Sequence, residues 1–413
     1  MIKMKNCFRE AKMLLPNKEV DLKTWAIIAC DQFTSQPEYW HEVEKRIEDK
    51  PSTYNLVYPE VYLDEKMQRI NTIHDNMDAY LNEGILNQEI QGYIYVKRMT
   101  TTGIRHGLIG MIDLEDYDYN PEHKTLIRST EETVLERIPP RMIIREEASI
   151  ELPHILLLID DTEKGLIEPL EEACDQFDLL YDFDLMLEGG HIKGYHVNKE
   201  QTSRINAWIT DKQKTSHGLF MVAGDGNHSL ATAKAYWEFV KSTLPEEKWE
   251  DAKERYALVE LVNIHDASLQ FEPIHRLLLN VDYDNMMKSF RMYLDSLDMY
   301  LSKGEDLIFI ENGNQHGYSI QKSNGRITVD ILQKFLDGYI KRFDARIDYI
   351  HGKNDLIELS KKEASCGILL KGMKKEELFP GVVAGGVLPR KTFSMGEATD
   401  KRYYIECRKI KGI

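Results

Sequence analysis

Apolar and polar positions along this chain recur with two periods, one of strands and one of helices, and the two meet in HGLFMVAGDGNHSLATAKAYW, residues 217–237. The apolar run 219–223 predicts a buried strand, and apolar residues at helical spacing predict a helix over 230–243. Between them Gly224, Asp225, Gly226, Asn227, His228 and Ser229 form a polar turn in which glycine admits backbone angles closed to other residues. The same reading predicts strands over 25–30, 153–159, 181–185 and 256–264 and a hairpin from 91–99 with 105–114. Helices are predicted over 38–48, capped by Ser35, over 64–89 with Ile70, Ile73, Met77 and Tyr80 on one face, over 199–208, and through the charged LPEEKWEDAKER. From about 281 short helices and strands alternate, and the glycines of FPGVVAGGVLPRKT read as a loop. The expectation is a mixed α/β fold, with a core over 1–280 that carries the turn and a C-terminal α/β lobe over 281–413.

A helix that starts directly after a glycine turn offers free N–H groups and the positive end of its dipole, which suits a phosphate. Such a turn is also a common capped junction. Four side chains able to handle protons, metal or phosphate, Asp225, Asn227, His228 and Ser229, favour the functional reading. Further candidates lie outside the turn. Arg128, Arg137, Arg141 and Arg145 read as a solvated helix face with a Ser129 to Glu132 capping box, or as forks converging on phosphate, with Arg128 and Glu131 the candidates. Asp160 and Asp161 read either as Mg²⁺ ligands or, preferably, as a cap of the next helix. Asp31, Gln32 and Thr34, ahead of a helix, read equally as ligand groups or as helix capping. His275 and Arg276 are read on a polar turn next to an apolar run, and Lys391, Thr392, Ser394 and Lys401, with Gly385 and Gly386, form a second candidate anion site.

Composition narrows the classes. Among 413 residues, 53 Lys and Arg against 69 Asp and Glu give a net charge of −16, which disfavours nucleic acid. No window holds the roughly 20 continuous apolar residues of a membrane span. The N-terminus lacks the apolar region of a signal peptide, so a cytoplasmic location is expected. Five scattered cysteines without a CxxC pair indicate neither a disulfide framework nor a thiolate metal site.

The turn, together with LLPN, ACDQFTSQPEYW, TEET, RIPPR, FEPIHR and PRKTFSMGEA, resembles the bacterial family catalogued as domain of unknown function 1015 over nearly the whole chain. That family typically carries Asp-Gly-His-His-Arg at the turn, which is similar to the phosphate-binding turn of the ParB and sulfiredoxin group, whose relatives include free-serine kinases using ADP or ATP. The resemblance implies a ParB/sulfiredoxin-like nucleotide-binding core with large insertions. Asn227 and Ser229 depart from the pattern, and the absent arginine would have to be replaced by Arg128 or Arg276. Glu131 matches a His-Glu-x-Thr pattern that here lacks its His. The expected function is nucleotide-dependent phosphoryl transfer to a small polar metabolite, an amino acid included. Gly224, Gly226, Asn227 and Ser229 would hold phosphate, and His228 would stabilise developing charge. Asp225 or Glu131 would take a proton, and Asp225 would also bind Mg²⁺. A homo-oligomer is compatible with this reading. A non-catalytic nucleotide- or anion-binding regulator is the alternative, and a DNA-binding protein is disfavoured by charge.

Overall fold

The computed structural model describes residues 5–34, 36–62, 66–350, 352–389 and 391–411. Its fold is mixed α/β. The strand Tyr256–Asn263 is buried at every residue, as a strand covered on both faces must be, and it lies in the interior of a ten-stranded sheet. Alternation sends Leu258 to one core, with Trp25, Trp40 and Tyr404, and Ala257, Val259 and Leu261 to the other, with Phe8, Leu230 and Trp237. From one edge the order is Asp178–Asp184, His191–His196, Ile94–Thr100, Gly103–Asp113, Tyr256–Asn263, Leu156–Ile159, Met221–Asp225, Ile127–Ser129 and Tyr117–Asp118. Phe8–Arg9 pairs with Gly103–Asp113 off this path. Leu156–Ile159 runs parallel to Tyr256–Asn263 and antiparallel to Met221–Asp225.

The expected hairpin forms, closing between Thr100 and Gly103. Helices Pro37–Ile47 and Asn227–Lys241 lie where the periodicity places them, the helix expected over 64–89 stops at Asn82 because Leu86–Gly92 pairs as a strand with Ala11–Pro16, and the helix expected over 199–208 runs on as Lys199–Thr215. Ser35 and Asp64, the expected cap and the expected start of two of these helices, lie outside the described residues. Three local expectations fail. Asp21 accepts from the Lys23 amide and caps a short helix, Leu22–Trp25, so only Ile27–Ile28 of the 25–30 segment is strand. Ser129 starts no helix. It is the end of a strand, and the helix Ile138–Glu147 begins later, with proline in its first turn. LPEEKWEDAKER forms only two short 3₁₀ turns, Glu246–Lys248 and Lys253–Arg255.

Contacts divide the chain into one compact unit made of Met1–Leu269 with Gly396–Ile413 and a second made of Gln270–Met395. The second unit thus starts before the boundary expected at 280, and the last segment belongs to the first unit. In that unit Tyr403–Tyr404 pairs with Ile27–Ile28, and Arg408–Lys409 with Ile150–Glu151. Buried ion pairs hold the segment: Arg402 to Glu260 at 3.0 Å and to Glu406 at 2.7 Å, and Arg408 to Glu151 at 2.7 Å. Stripping one partner from such a pair typically costs about 3–5 kcal/mol.

The second unit is an antiparallel five-stranded sheet, ordered Asn314–Gln321, Tyr300–Glu311, Ser365–Leu370, His275–Leu279, Arg346–Ile350. Helices Tyr283–Ser296 and Thr328–Phe343 close a core of Phe290, Phe309, Phe335, Leu336 and Ile368. The glycine-rich stretch is the helix Leu378–Gly385 rather than a loop. Among the described residues no helix is long and apolar enough to cross a membrane.

Candidate functional site

The turn sits at the end of Met221–Asp225. Against Leu156–Ile159 the register slips by one residue there, leaving Gly224 as the extra residue of a β-bulge that redirects the strand. Gly226 follows in the left-handed region, φ 75°, and starts the helix Asn227–Lys241 with no side-chain cap. A Cβ at Gly226 would lie 2.9 Å from the Ile155 Cα, so both the backbone angle and the space require glycine. Leu230, Ala233 and Trp237 are buried and clamp the helix to the sheet, fixing its N-terminus beside the bulge.

The segment after Ile127–Ser129 folds over this N-terminus. Asn227 Oδ1 accepts from the Thr130 amide at 3.2 Å, and the Thr130 hydroxyl donates to the Ala223 carbonyl at 2.6 Å. Farther on, His228 Nε2 accepts from the Val134 amide at 3.4 Å. Both ends of the Glu131–Thr133 segment are therefore tied to the turn. The Thr133 hydroxyl is buried there without a hydrogen-bond partner, a costly arrangement that a bound acceptor would relieve.

On the other side two elements join that local pattern could not connect to the turn. Lys401, from the last segment, lies 3.3 Å from Asp225. Ser229 Oγ and His154 Nε2 share a hydrogen bond of 3.2 Å, and His154 Nδ1 shares one of 2.7 Å with the Tyr404 hydroxyl. Asp31 lies 3.7 Å from His154. Burial opposes the Asp31 charge, but His154, Gln32 and Lys401 outweigh it and hold the carboxyl below its usual range. Burial, then Asp31, pushes the Cys30 thiol up to about 12, so it is a neutral thiol. His154 and Tyr404 were not singled out as site residues from the sequence, although His154 stands at the start of the predicted strand 153–159. Asp31 was marked as a ligand group or a capping residue, and it faces the site.

Of the two arginines expected to replace the family arginine, Arg128 points to the opposite end of its strand pair from the turn and Arg276 belongs to the second unit. Arg128 is buried and bonds the carbonyls of Thr125 and Gly218 at 3.1 Å each, which precede the two parallel strands, whereas the turn follows them. Arg276 is fully buried within the second unit, bonding Gln333 and the carbonyls of Ile274 and Lys391 and lying over the Tyr349 ring. His275 accepts from the Leu370 amide in the same unit. The second anion cluster is divided, since Lys391, Thr392 and Ser394 belong to the second unit and Lys401 to the first. Asp161 caps a turn by accepting from the Gly165 and Leu166 amides, and Asp160 pairs with His265.

For Mg²⁺ the donor set fits poorly. Among the described residues no three metal-ligating side chains cluster, and Asp225 is already neutralised by Lys401. A nucleotide's phosphates fit better, because the capless helix and the orphaned Thr133 hydroxyl both offer donors to an anion.

No curated protein matches the chain. Among solved structures it is similar to a free serine kinase in complex with AMP, at 11% identity over 73% of this chain and 91% of that one, with a TM-score of 0.39. It is also similar to SbnI from Staphylococcus aureus, at 10% identity over 72% and 85% with a TM-score of 0.38, and to a conserved hypothetical protein from Pyrococcus furiosus, at 12% identity over 73% and 94% with a TM-score of 0.36. The profile of one family matches residues 14–339, spanning the bulge, the turn and the segment folded over it, and the chain belongs to that family, described as Protein of unknown function (DUF1015).

Proposed function

We propose that the first unit binds a nucleotide through its terminal phosphates at the Gly226 turn, in the manner of a ParB/sulfiredoxin-like turn, and transfers a phosphoryl group from ATP or ADP to a small molecule in the cytoplasm. The observation that carries this reading is the capless helix N-terminus roofed by a segment whose Thr133 hydroxyl is buried without a partner. Backbone amides stabilise phosphate charge, and His228 and Asn227 hold the roof in place. Asp31, kept ionised beside His154, is placed to take the acceptor's proton alongside the candidates Asp225 and Glu131. Mg²⁺, where used, would neutralise phosphate charge, and Asp225 would hold it only by exchanging Lys401 for the ion.

The Asp225 to Lys401 pair also favours a second reading, a regulator that binds a nucleotide or anion without turnover. The test is thermal stability of the full chain with ATP, ADP and CTP, with and without Mg²⁺, on the native protein, Asp225→Asn, His228→Ala and Thr133→Val. A nucleotide at 100 times its dissociation constant stabilises the folded state by about 2.7 kcal/mol. Stabilisation of the native protein that is lost in Thr133→Val supports the site. Binding without phosphate transfer to any acceptor selects the regulator, and no shift with any nucleotide removes both readings.

A further inference from the structure

Beside Ser229 and Thr232, on the flank of the helix Asn227–Lys241, the first unit contains an open cavity of about 170 Å³. For scale, an apolar cavity of about 150 Å³ in another protein binds benzene. Much of its wall is apolar, with Leu56, Val57, Met77, Ile144, Ile150 and Ile155 contributing. Its polar lining includes Cys30, His154, Ser229, Thr232 and Tyr404.

Both carboxylates that reach the cavity, Glu60 and Glu151, are already matched. Arg141 pairs with Glu60, and Glu151 is held by Arg145 at 2.7 Å and by Arg408 at 2.7 Å. An ammonium entering here would lose its hydration and meet no unmatched carboxylate, an arrangement that strongly disfavours a cationic or zwitterionic guest. A single hydroxyl, by contrast, meets both a donor and an acceptor in the Ser229 and His154 pair.

We infer that this cavity binds a small uncharged alcohol with an apolar body, of the size of one ring with a short substituent, its hydroxyl at Ser229 and His154. This excludes a zwitterionic amino acid from the cavity. That the alcohol is the phosphoryl acceptor rests on the phosphotransfer reading above. In that step the alcohol oxygen forms a bond to the terminal phosphorus of ATP or ADP, and the bond from that phosphorus to its bridging oxygen breaks. The departing nucleotide keeps the electron pair, and the hydroxyl proton passes to the Asp31 carboxylate, 3.7 Å from His154.

Calorimetric titration of the full chain, without nucleotide, with benzyl alcohol, toluene and L-serine tests the cavity itself. Benzyl alcohol is expected to bind more tightly than toluene, and L-serine not to bind. Ser229→Ala, a conservative change on a half-buried helix position, should weaken benzyl alcohol roughly threefold to tenfold, toward toluene, while leaving toluene unchanged. Ala148→Leu, which narrows the cavity wall, should weaken both. Saturable L-serine binding, toluene as tight as benzyl alcohol, or no binding of benzyl alcohol would each overturn the inference. A parallel titration with ADP separates the two proposals. Benzyl alcohol binding without ADP binding retains the cavity and removes the transfer reading, and ADP binding without benzyl alcohol binding does the reverse.

Discussion

Asp116 shows how one residue sets the pH response of this fold. Asp113 takes both nearby guanidinium groups, Arg9 at 2.7 Å and Arg255 at 2.8 Å, and leaves Asp116 close by with no partner of its own strength. Burial, then the Asp113 charge, pushes the Asp116 carboxyl up to about 6. A carboxyl raised on folding contributes its stability fully below its unfolded value, near 4, and loses it as pH rises through 6. Asp116→Asn should therefore melt higher than the native protein at pH 7.5, by roughly a few degrees, and level with it only near pH 3, in paired calorimetric scans. A native advantage at pH 7.5 would show that Asp116 is paired when ionised. At this scale the sequence was legible where a residue's role is conformational: a glycine between a strand and a helix announces a special backbone angle, and Gly226 adopts it. It was not legible for Arg128 and Arg276. A guanidinium suits a phosphate and a set of carbonyls equally well, and only the fold shows that carbonyls surround both.

Among the elements, the final segment does most to complete the site. The sequence pattern places Lys401 in a C-terminal lobe, whereas the segment forms two short strands, Tyr403–Tyr404 and Arg408–Lys409, in the first unit. In the structure Tyr404 touches His154 and Cys30 while Lys401 reaches Asp225. Tyr404→Phe keeps the ring but leaves His154 Nδ1 and the Cys30 amide without their partner. It should cost about 1–3 kcal/mol in urea unfolding and, by freeing the His154 ring, also weaken ligand binding at Ser229. Unchanged stability together with unchanged binding would show that the segment does not order the site. The failed capping box at Ser129 has the same physical origin. Ser129 and Glu132 have the right spacing, but Ile127–Ser129 gains a parallel partner in Met221–Asp225, and sheet hydrogen bonds outweigh a local cap worth about 1 kcal/mol.

For the molecule as a whole, the two compact units imply separable cores. The second closes its own around Phe290, Phe309 and Phe335, so a fragment of residues 270–395 should unfold cooperatively on heating, and a broad melt with dye binding would show dependence on the rest of the chain. The α/β class, the hairpin, the long helices and the strand-turn-helix unit at Gly226 were determined by the sequence itself, because each rests on contacts between near neighbours: apolar period, glycine and proline geometry, and turn closure. The gathering of Asp31, His154, Asp225, Ser229, Lys401 and Tyr404 was decided only by the tertiary structure. Those residues span most of the chain, and their meeting depends on strand order, on a one-residue slip of register at Gly224, and on a terminal segment returning to the first unit. Strand order and the return of a segment come from the burial of whole faces against one another, a long-range term that no local pattern of polar and apolar residues encodes.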